Sequence, residues 1–288
     1  MTGNSFLKRK KDSSSEIITV SKEQEHSKLK KDENSLLISI IIPVFNEEFT
    51  IKDILERIPN LYQQEIIVID DGSIDKSIEQ IKEVKNKNVH IVKHPYNLGY
   101  GAAIQTGIKH ASGDILITMD SDGQHNPEEI TKLIKPIINN DADIVVGSRY
   151  KGNSIYKVPL HTRVGEFIIN NCLKFFFHQK VGNNQSGFRA FSKRSLKIFK
   201  NMIYSTFTFC TEILFKAAYY NLRIIEIPIT VNPRKFGVSY VILLKMVTSI
   251  AFCLIIYALK KFKIKKIIPK RIADMAYYIL LKYLRNLY

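Results

Sequence analysis

From residue 37 onward the chain alternates between two apolar periodicities. Leu37 to Val44, Glu65 to Asp70, Val89 to Lys93, Ile115 to Asp120 and Asp143 to Gly147 are apolar at nearly every position and of strand length. Runs of that kind belong to strands buried on both faces. Between them, Thr50 to Arg57, Asp75 to Val84, Gly101 to His110 and Pro127 to Ile138 mix polar and apolar positions over helical lengths. The alternation predicts an α/β fold of the doubly wound class, a mostly parallel sheet covered by helices on both faces. After Tyr150 the rhythm becomes irregular. A helix is expected over Thr162 to Phe177, then the segment NNQSGFRAFS, a helix near Thr211 to Tyr220 and a strand over Ile224 to Val231.

Composition narrows the classes. The 288 residues, 45% of them hydrophobic, suffice for one sizeable α/β domain with an appendage. A net charge of +16 calls for an acidic partner: nucleic acid, an anionic membrane leaflet or a phosphorylated substrate. The basic residues gather in the tails and no nucleic-acid motif is present, which argues against nucleic acid. Cys172, Cys210 and Cys253 are too widely spaced for a disulfide framework or a zinc site, and a reducing cytoplasm fits them. Residues 1–36, rich in Lys, Ser, Glu and Asp, read as a disordered charged tail without the apolar core of a signal peptide.

In sheets of this class ligands bind beyond the carboxyl ends of the strands. Those ends read PVFNEE, DDGSID and DSDGQH. On an extended chain Asp120 and Asp122 share a side, because side chains alternate with period two. Two carboxylates without thiolates favour a hard cation, Mg2+ or Mn2+, whose other positions go to water and substrate phosphate. Gln124 is placed to add a third oxygen, and the plain alternative is an acidic turn after a strand. In IDDGSID, Gly72 permits a tight turn and Ser73 or Asp75 can cap the next helix. Capping leaves Asp70 unexplained, and its place at the strand tip suits a ribose or a base. At the first strand's tip Pro43, Phe45 and Glu47 offer an aromatic face and a carboxylate to a nucleoside. A dehydrogenase is excluded because no GxGxxG follows the first strand; NLGYGAA comes after the third.

Taken in order, SIIIPVFNEE, IIVIDDGSID, NLGYGAAIQTGI, GDILITMDSDGQHNPEEI and VVGSRY resemble the family-2 glycosyltransferases of GT-A fold, in particular the polyprenyl-phosphate (dolichol-phosphate) mannose synthases and their glucosyl and GlcNAc-type relatives. The resemblance covers about residues 37–240. It implies a Rossmann-like domain over 37–237, with a nucleotide-binding half (37–150) and an acceptor half (151–237). It further implies that Pro43, Phe45, Glu47, Val68 and Asp70 line the nucleotide site with Ser121, and that Asp120, Asp122 and Gln124 hold Mg2+ or Mn2+ and the diphosphate. By the same resemblance Arg149 and Arg163 meet the acceptor phosphate, Arg149 and Arg234 in RKFGVSY contact the nucleotide-sugar donor, and Asp122 and Arg149 carry catalysis. The implied reaction is inverting transfer of a hexose from GDP-mannose or a UDP-sugar to polyprenyl or dolichyl phosphate. Tyr240 stands where relatives carry Lys in an RxxGxSK pattern, and DSDGQH stands in place of DADLQH. The chain has no Trp and so no QxxRW motif, which argues against a processive polysaccharide synthase.

Nucleotide sugars are cytoplasmic, so the domain is expected at the cytoplasmic face of a membrane. Val238 to Leu259 is long enough to cross a bilayer and carries only Lys245, with the basic run Lys260 to Arg271 behind it. A single span would send that run to the far side, against the positive-inside tendency. A segment lying in the interface, or a hairpin, is therefore expected within residues 238–288, drawn to anionic lipid by about 1 kcal/mol per basic residue. YYILLKYLRNLY at the end reads as another interfacial helix, and a buried core helix is the alternative for Val238 to Leu259. Two other functions stay open: transfer to a hydroxyl acceptor, for which Asp122 or His125 would be the base, and a non-catalytic nucleotide-sugar-binding protein.

Overall fold

The computed structural model describes residues 36–60, 62–85, 88–152, 158, 160–236 and 243–261. The expected charged tail up to residue 35, Tyr240, the basic run beyond Lys261 and the terminal YYILLKYLRNLY lie outside the described residues.

The strands are β1 (Leu37–Val44), β2 (Gln63–Asp70), β3 (Val89–Lys93), β4 (Ile115–Thr118), β5 (Ile144–Ser148), β6 (Arg189–Ser192) and β7 (Ile224–Pro228). The helices are α1 (Ile51–Arg57), α2 (Ser77–Lys82), α3 (Tyr100–His110), α4 (Ile130–Ile138), α5 (Leu160–Phe177), α6 (Thr208–Tyr219) and α7 (Leu243–Lys261). One seven-stranded sheet runs through both halves in the order β3-β2-β1-β4-β6-β5-β7. Pairing is parallel except where β6 runs antiparallel to β4 and β5. The α/β class and the mostly parallel sheet are as expected.

Period two along β1 divides the core. Ile38, Ile40 and Ile42 face one layer with Leu55, Ile130 and Leu133, while Ile41 faces the other with Ile104, Leu116 and Phe209. Contact with α3 is close: a Cβ on Gly107 would lie 2.3 Å from Ile41 Cγ2.

Three expectations are corrected. Inside NNQSGFRAFS, where the sequence pattern predicts no strand, Arg189–Ser192 forms β6. Pro127–Glu129 forms a 3-10 turn ahead of α4, as a proline at the helix start favours. Strand β4 stops at Thr118, and Gly123 turns the chain at φ +77°, so Asp120 and Asp122 sit in a bend rather than on an extended strand.

The apolar segment near the carboxyl end has another use. Helix α7 packs on α6, burying Ile250, Cys253, Ile256 and Tyr257. Tyr257 donates its phenol to Glu212 at 2.8 Å, and Glu212, itself wholly buried, also accepts the Ile203 and Tyr204 amides. Burial pushes the Glu212 carboxyl above its ordinary range, and these donors work against that shift. The face of α7 that carries Ile250, Cys253, Ile256 and Tyr257 is thus spent in the core. Among the described residues, no helix is long and apolar enough to cross a membrane.

Asp143 joins the entries of β5 and β7, accepting the Arg223 amide at 2.8 Å and its guanidinium at 3.3 Å. Burial alone would raise its pKa, but the bonds from Arg223 outweigh that and hold it below the ordinary 3.8. A depressed carboxylate contributes stability above its unfolded pKa and loses it as pH falls through the lower folded value. The stability gap between wild type and Asp143→Asn is therefore expected to be constant from about pH 7 to 5 and to shrink below about pH 4, read by urea unfolding.

Candidate active site

The tips of β1, β2 and β4 bring their acidic loops to one end of the sheet. The Ser121 hydroxyl donates to the Pro43 carbonyl at 2.7 Å, and the Thr50 hydroxyl donates to the Ser121 carbonyl at 2.6 Å. These bonds lock the loop carrying Asp120 and Asp122 against the exit of β1. The segment after β7 is stitched to its other side: Gln124 Nε2 donates to the Asn232 carbonyl at 3.1 Å, the Asn232 amide returns to the Gln124 carbonyl at 2.9 Å, and His125 bridges Val231. Gln124 is thus near the pair, with its amide nitrogen engaged.

That stitching delivers Arg234. Its Nη2 lies 2.5 Å from Glu47 Oε1 and its Nη1 3.8 Å from Asp122 Oδ2, so one guanidinium joins carboxylates from β1 and β4. Burial raises the Glu47 pKa to about 7 against the opposing pull of Arg234. Phe49 and Phe236, both exposed, lie with ring centroids 5.3 Å apart.

Asp122 Oδ1 accepts the Gln124 amide at 3.1 Å. Asp120 accepts the Tyr100 phenol, has His125 Nδ1 3.7 Å from its Oδ2, and keeps 30% of its side chain exposed. Its pKa is raised by burial first and also by the like charge of Asp122. Gly187 packs on the carboxylate: a Cβ there would lie 2.2 Å from Asp120 Oδ1. Two mutually repelling carboxylates, one partly desolvated, make a hard oxygen donor set that a divalent cation would relieve. Among the described residues no three His, Cys, Asp or Glu side chains gather as a metal centre.

The second acidic cluster separates into roles. Asp75 accepts the Ser77 amide and hydroxyl and the Glu48 amide, which is capping. Asp70, buried, accepts the Ser73 amide at 2.9 Å and closes the turn at Gly72. Val68 is wholly buried in the core with Ile42 and Ile66, so it supports the site from beneath and offers it no surface. Asp71 builds the adjacent wall: it accepts the Leu98 and Gly99 amides at 2.9 Å and holds His94 Nδ1 at 2.6 Å, while His94 Nε2 meets Thr106. Asp71→Ala leaves these donors without their buried acceptor and is expected to lower stability by about 3 kcal/mol, read by denaturant unfolding.

Beside this pocket, at the exit of β5, Arg149 donates its Nε to Asn183 Oδ1 at 3.3 Å. Arg163 stands exposed on α5, whose buried Glu166 accepts the Tyr150 phenol. Sequence reasoning missed Tyr100, Gly187, Tyr150, Glu166 and Asn183. Only Gly187 carried a local signal, a residue without a side chain next to a strand facing the acidic loop.

Known proteins give this arrangement a context. The family model described as Glycosyl transferase family 2 matches residues 39–199. The UDP-N-acetylglucosamine–dolichyl-phosphate N-acetylglucosaminyltransferase of Methanococcus voltae is 37% identical over 67% of this chain and 84% of its own length. The dolichol-phosphate mannosyltransferase of Pyrococcus furiosus is 34% identical over 70% of this chain and 58% of its own. Among solved structures, glucosyl-3-phosphoglycerate synthase from Mycobacterium tuberculosis with Mn2+, UDP and glucosyl-3-phosphoglycerate superposes with a TM-score of 0.62 at 21% identity, covering 81% of this chain and 83% of that one. At that identity the likeness speaks for the fold.

Proposed function

The chain belongs to glycosyl transferase family 2, and from that premise we propose that it moves a hexose from a nucleotide sugar to a polyprenyl or dolichyl phosphate, with inversion, at the cytoplasmic face of a membrane. In this reading residues 37–150 form the nucleotide half, residues 151–237 the acceptor half, and residues 238–288 with α5 the membrane-facing part.

One observation carries the acceptor assignment. On α5, Leu160, Val164, Phe167, Ile168 and Phe175 are all at least half exposed and recur at helical spacing, so an apolar stripe faces outward. By helical rotation Arg163 falls between that stripe and the buried Glu166. A guanidinium bordering an apolar face matches a ligand with a phosphate head and a hydrocarbon tail, and arginine's planar fork suits the phosphate. The relatives' names, which carry dolichyl phosphate with differing sugars, support the acceptor class and leave the donor to experiment.

At the donor end, Phe45, Glu47 and Asp70 border the nucleoside, with Pro43, Val68 and Ser121 shaping the pocket beneath. Asp120 and Asp122, with Gln124, would hold Mg2+ or Mn2+, which when bound supplies positive charge to the nucleotide diphosphate. Arg234, already between Glu47 and Asp122, adds a second cation where the leaving group develops charge. A phosphate oxygen of the acceptor attacks the anomeric carbon as the bond to the diphosphate breaks, through an oxocarbenium-like state. A phosphate monoester, with a second pKa of about 6, is largely ionised near neutral pH, so no protein base is required. Arg149 and Arg163 hold that nucleophile, and catalysis is chiefly positioning.

The test is transfer of label from GDP-mannose, UDP-glucose and UDP-N-acetylglucosamine into organic-extractable polyprenyl phosphate, with Mn2+ or EDTA. Metal-dependent labelling from one donor is expected. Folded protein that labels the lipid from none of them would overturn the reading.

A further inference from the structure

Arg149 and Arg163 come from different elements, β5's exit and α5, and something must set the distance between them. We propose that Tyr150 and Glu166 are a positioning pair that fixes the spacing of the Arg149–Arg163 clamp for the acceptor's phosphate monoester; the inference rests on the acceptor reading above.

Tyr150 follows Arg149 directly, and its phenol donates to Glu166 Oε2. Glu166 stands one helical turn after Arg163, on a neighbouring line of the helix surface. The Tyr150–Glu166 bond thus joins the two elements one residue from the first arginine and one turn from the second. A loop braces the same junction. Asn183 accepts Arg149 Nε at 3.3 Å and donates to the Gly147 carbonyl at 3.2 Å, while Asn184 donates to the Glu166 carbonyl at 2.8 Å. Glu226 Oε1 anchors that loop by accepting the Asn183 amide at 2.8 Å. Both guanidinium charges act on the Tyr150 hydroxyl, so the phenol lies within electrostatic reach of each.

The charges around the pair agree with an anion clamp. Among the described residues neither Arg149 nor Arg163 makes an ion pair, so their charge is left for a ligand. Glu166 is 3% exposed, and its Oε1 has no hydrogen-bond partner among the described residues. Burial, with Glu226 adding to it, raises the Glu166 pKa above its ordinary value, against the opposing pull of the Tyr150 bond and of Arg149. The position also accounts for Tyr150 being held by a carboxyl side chain from the clamp's own helix.

Binding of a short-chain polyprenyl monophosphate by calorimetry, with KM for both substrates, tests this on the full chain. Tyr150→Phe and Glu166→Leu are expected to weaken polyprenyl phosphate about tenfold. Neither should change the nucleotide sugar KM by more than about twofold, because the donor residues lie on other loops. Glu166→Gln keeps an oxygen for the phenol and is expected to stay within about threefold of wild type. Unchanged lipid-phosphate binding in Tyr150→Phe would overturn the inference, as would parallel weakening of both substrates with a falling Tm, which marks a merely structural bond. A wild-type protein that binds no polyprenyl phosphate would remove the acceptor reading itself, a separate result.

Discussion

Asp122→Asn is expected to reduce sugar transfer about 10³-fold with the fold intact. The asparagine carbonyl can still accept the Gln124 amide that now reaches Asp122 Oδ1 at 3.1 Å, so the bend at Gly123 keeps its local bond. What disappears is a negative charge facing Arg234 Nη1 at 3.8 Å and half of the oxygen pair proposed to hold the divalent ion. Removing one preorganised charge from a transition-state site typically costs about 10²-fold to 10³-fold in rate. Here the same residue faces an arginine and is proposed to hold the metal as well, so the upper end is expected. Raised Mn2+ should restore part of the activity if weakened metal binding dominates the loss. The measurement is kcat/KM over a Mn2+ titration, with circular dichroism to establish that the variant folds.

Gly187→Ala is expected to be nearly as damaging from outside the acidic motif. A methyl at this position would lie 2.2 Å from Asp120 Oδ1 and 2.4 Å from Oδ2, closer than atoms approach. Backbone on both sides is fixed by the antiparallel pairing of β6 with β4, where Arg189 faces Thr118. The Thr118 hydroxyl also donates to the Gly187 carbonyl at 2.7 Å. The carboxylate, a side-chain end with 30% of its side chain exposed, is the part able to move, at the expense of its bond from Tyr100. Displacing a site group by roughly 1 Å costs about 10²-fold in rate, whereas the stability loss should sit near the low end of the roughly 1–3 kcal/mol seen for overpacking. A large fall in kcat/KM with a small change in Tm is the signature. Gly165→Ala is the control: a Cβ there meets nothing within 4 Å, and activity should be unchanged.

Particular residues show what the sequence made legible. Strands β1, β4 and β5 could be read because strands covered on both faces are apolar at almost every position, which few other elements of that length are. Strand β6 could not. It is four residues long and begins with a buried cation, Arg189, whose guanidinium is met by the Cys210 and Asn184 carbonyls, partners that no local pattern announces. The described part of the segment Val238 to Leu259 shows the converse limit: hydrophobicity says that a face will be buried but not by what, and helix α6 covers the face of α7 that carries Ile250, Cys253, Ile256 and Tyr257. In the site, residue types at strand ends marked the end of the sheet where the loops of β1, β2 and β4 gather. They did not distinguish Asp71, committed to His94 and the Leu98–Gly99 amides, from Asp70 beside it. Nor does a sequence display the Arg234–Glu47 pair, whose members stand 187 positions apart and meet because the Gln124–Asn232 stitching brings their loops together.

The central claim is that the nucleophile is a phosphate already ionised and held by Arg149 and Arg163. The measurement that addresses it most directly compares polyprenyl phosphate with the matching free polyprenol as acceptors, at equal concentration and with the active donor, for wild type and for Arg149→Ala. The account predicts transfer to the phosphate alone, cut at least about tenfold by Arg149→Ala with the donor KM preserved. Comparable transfer to the alcohol, or an Arg149→Ala variant that uses the phosphate as well as wild type does, would contradict it.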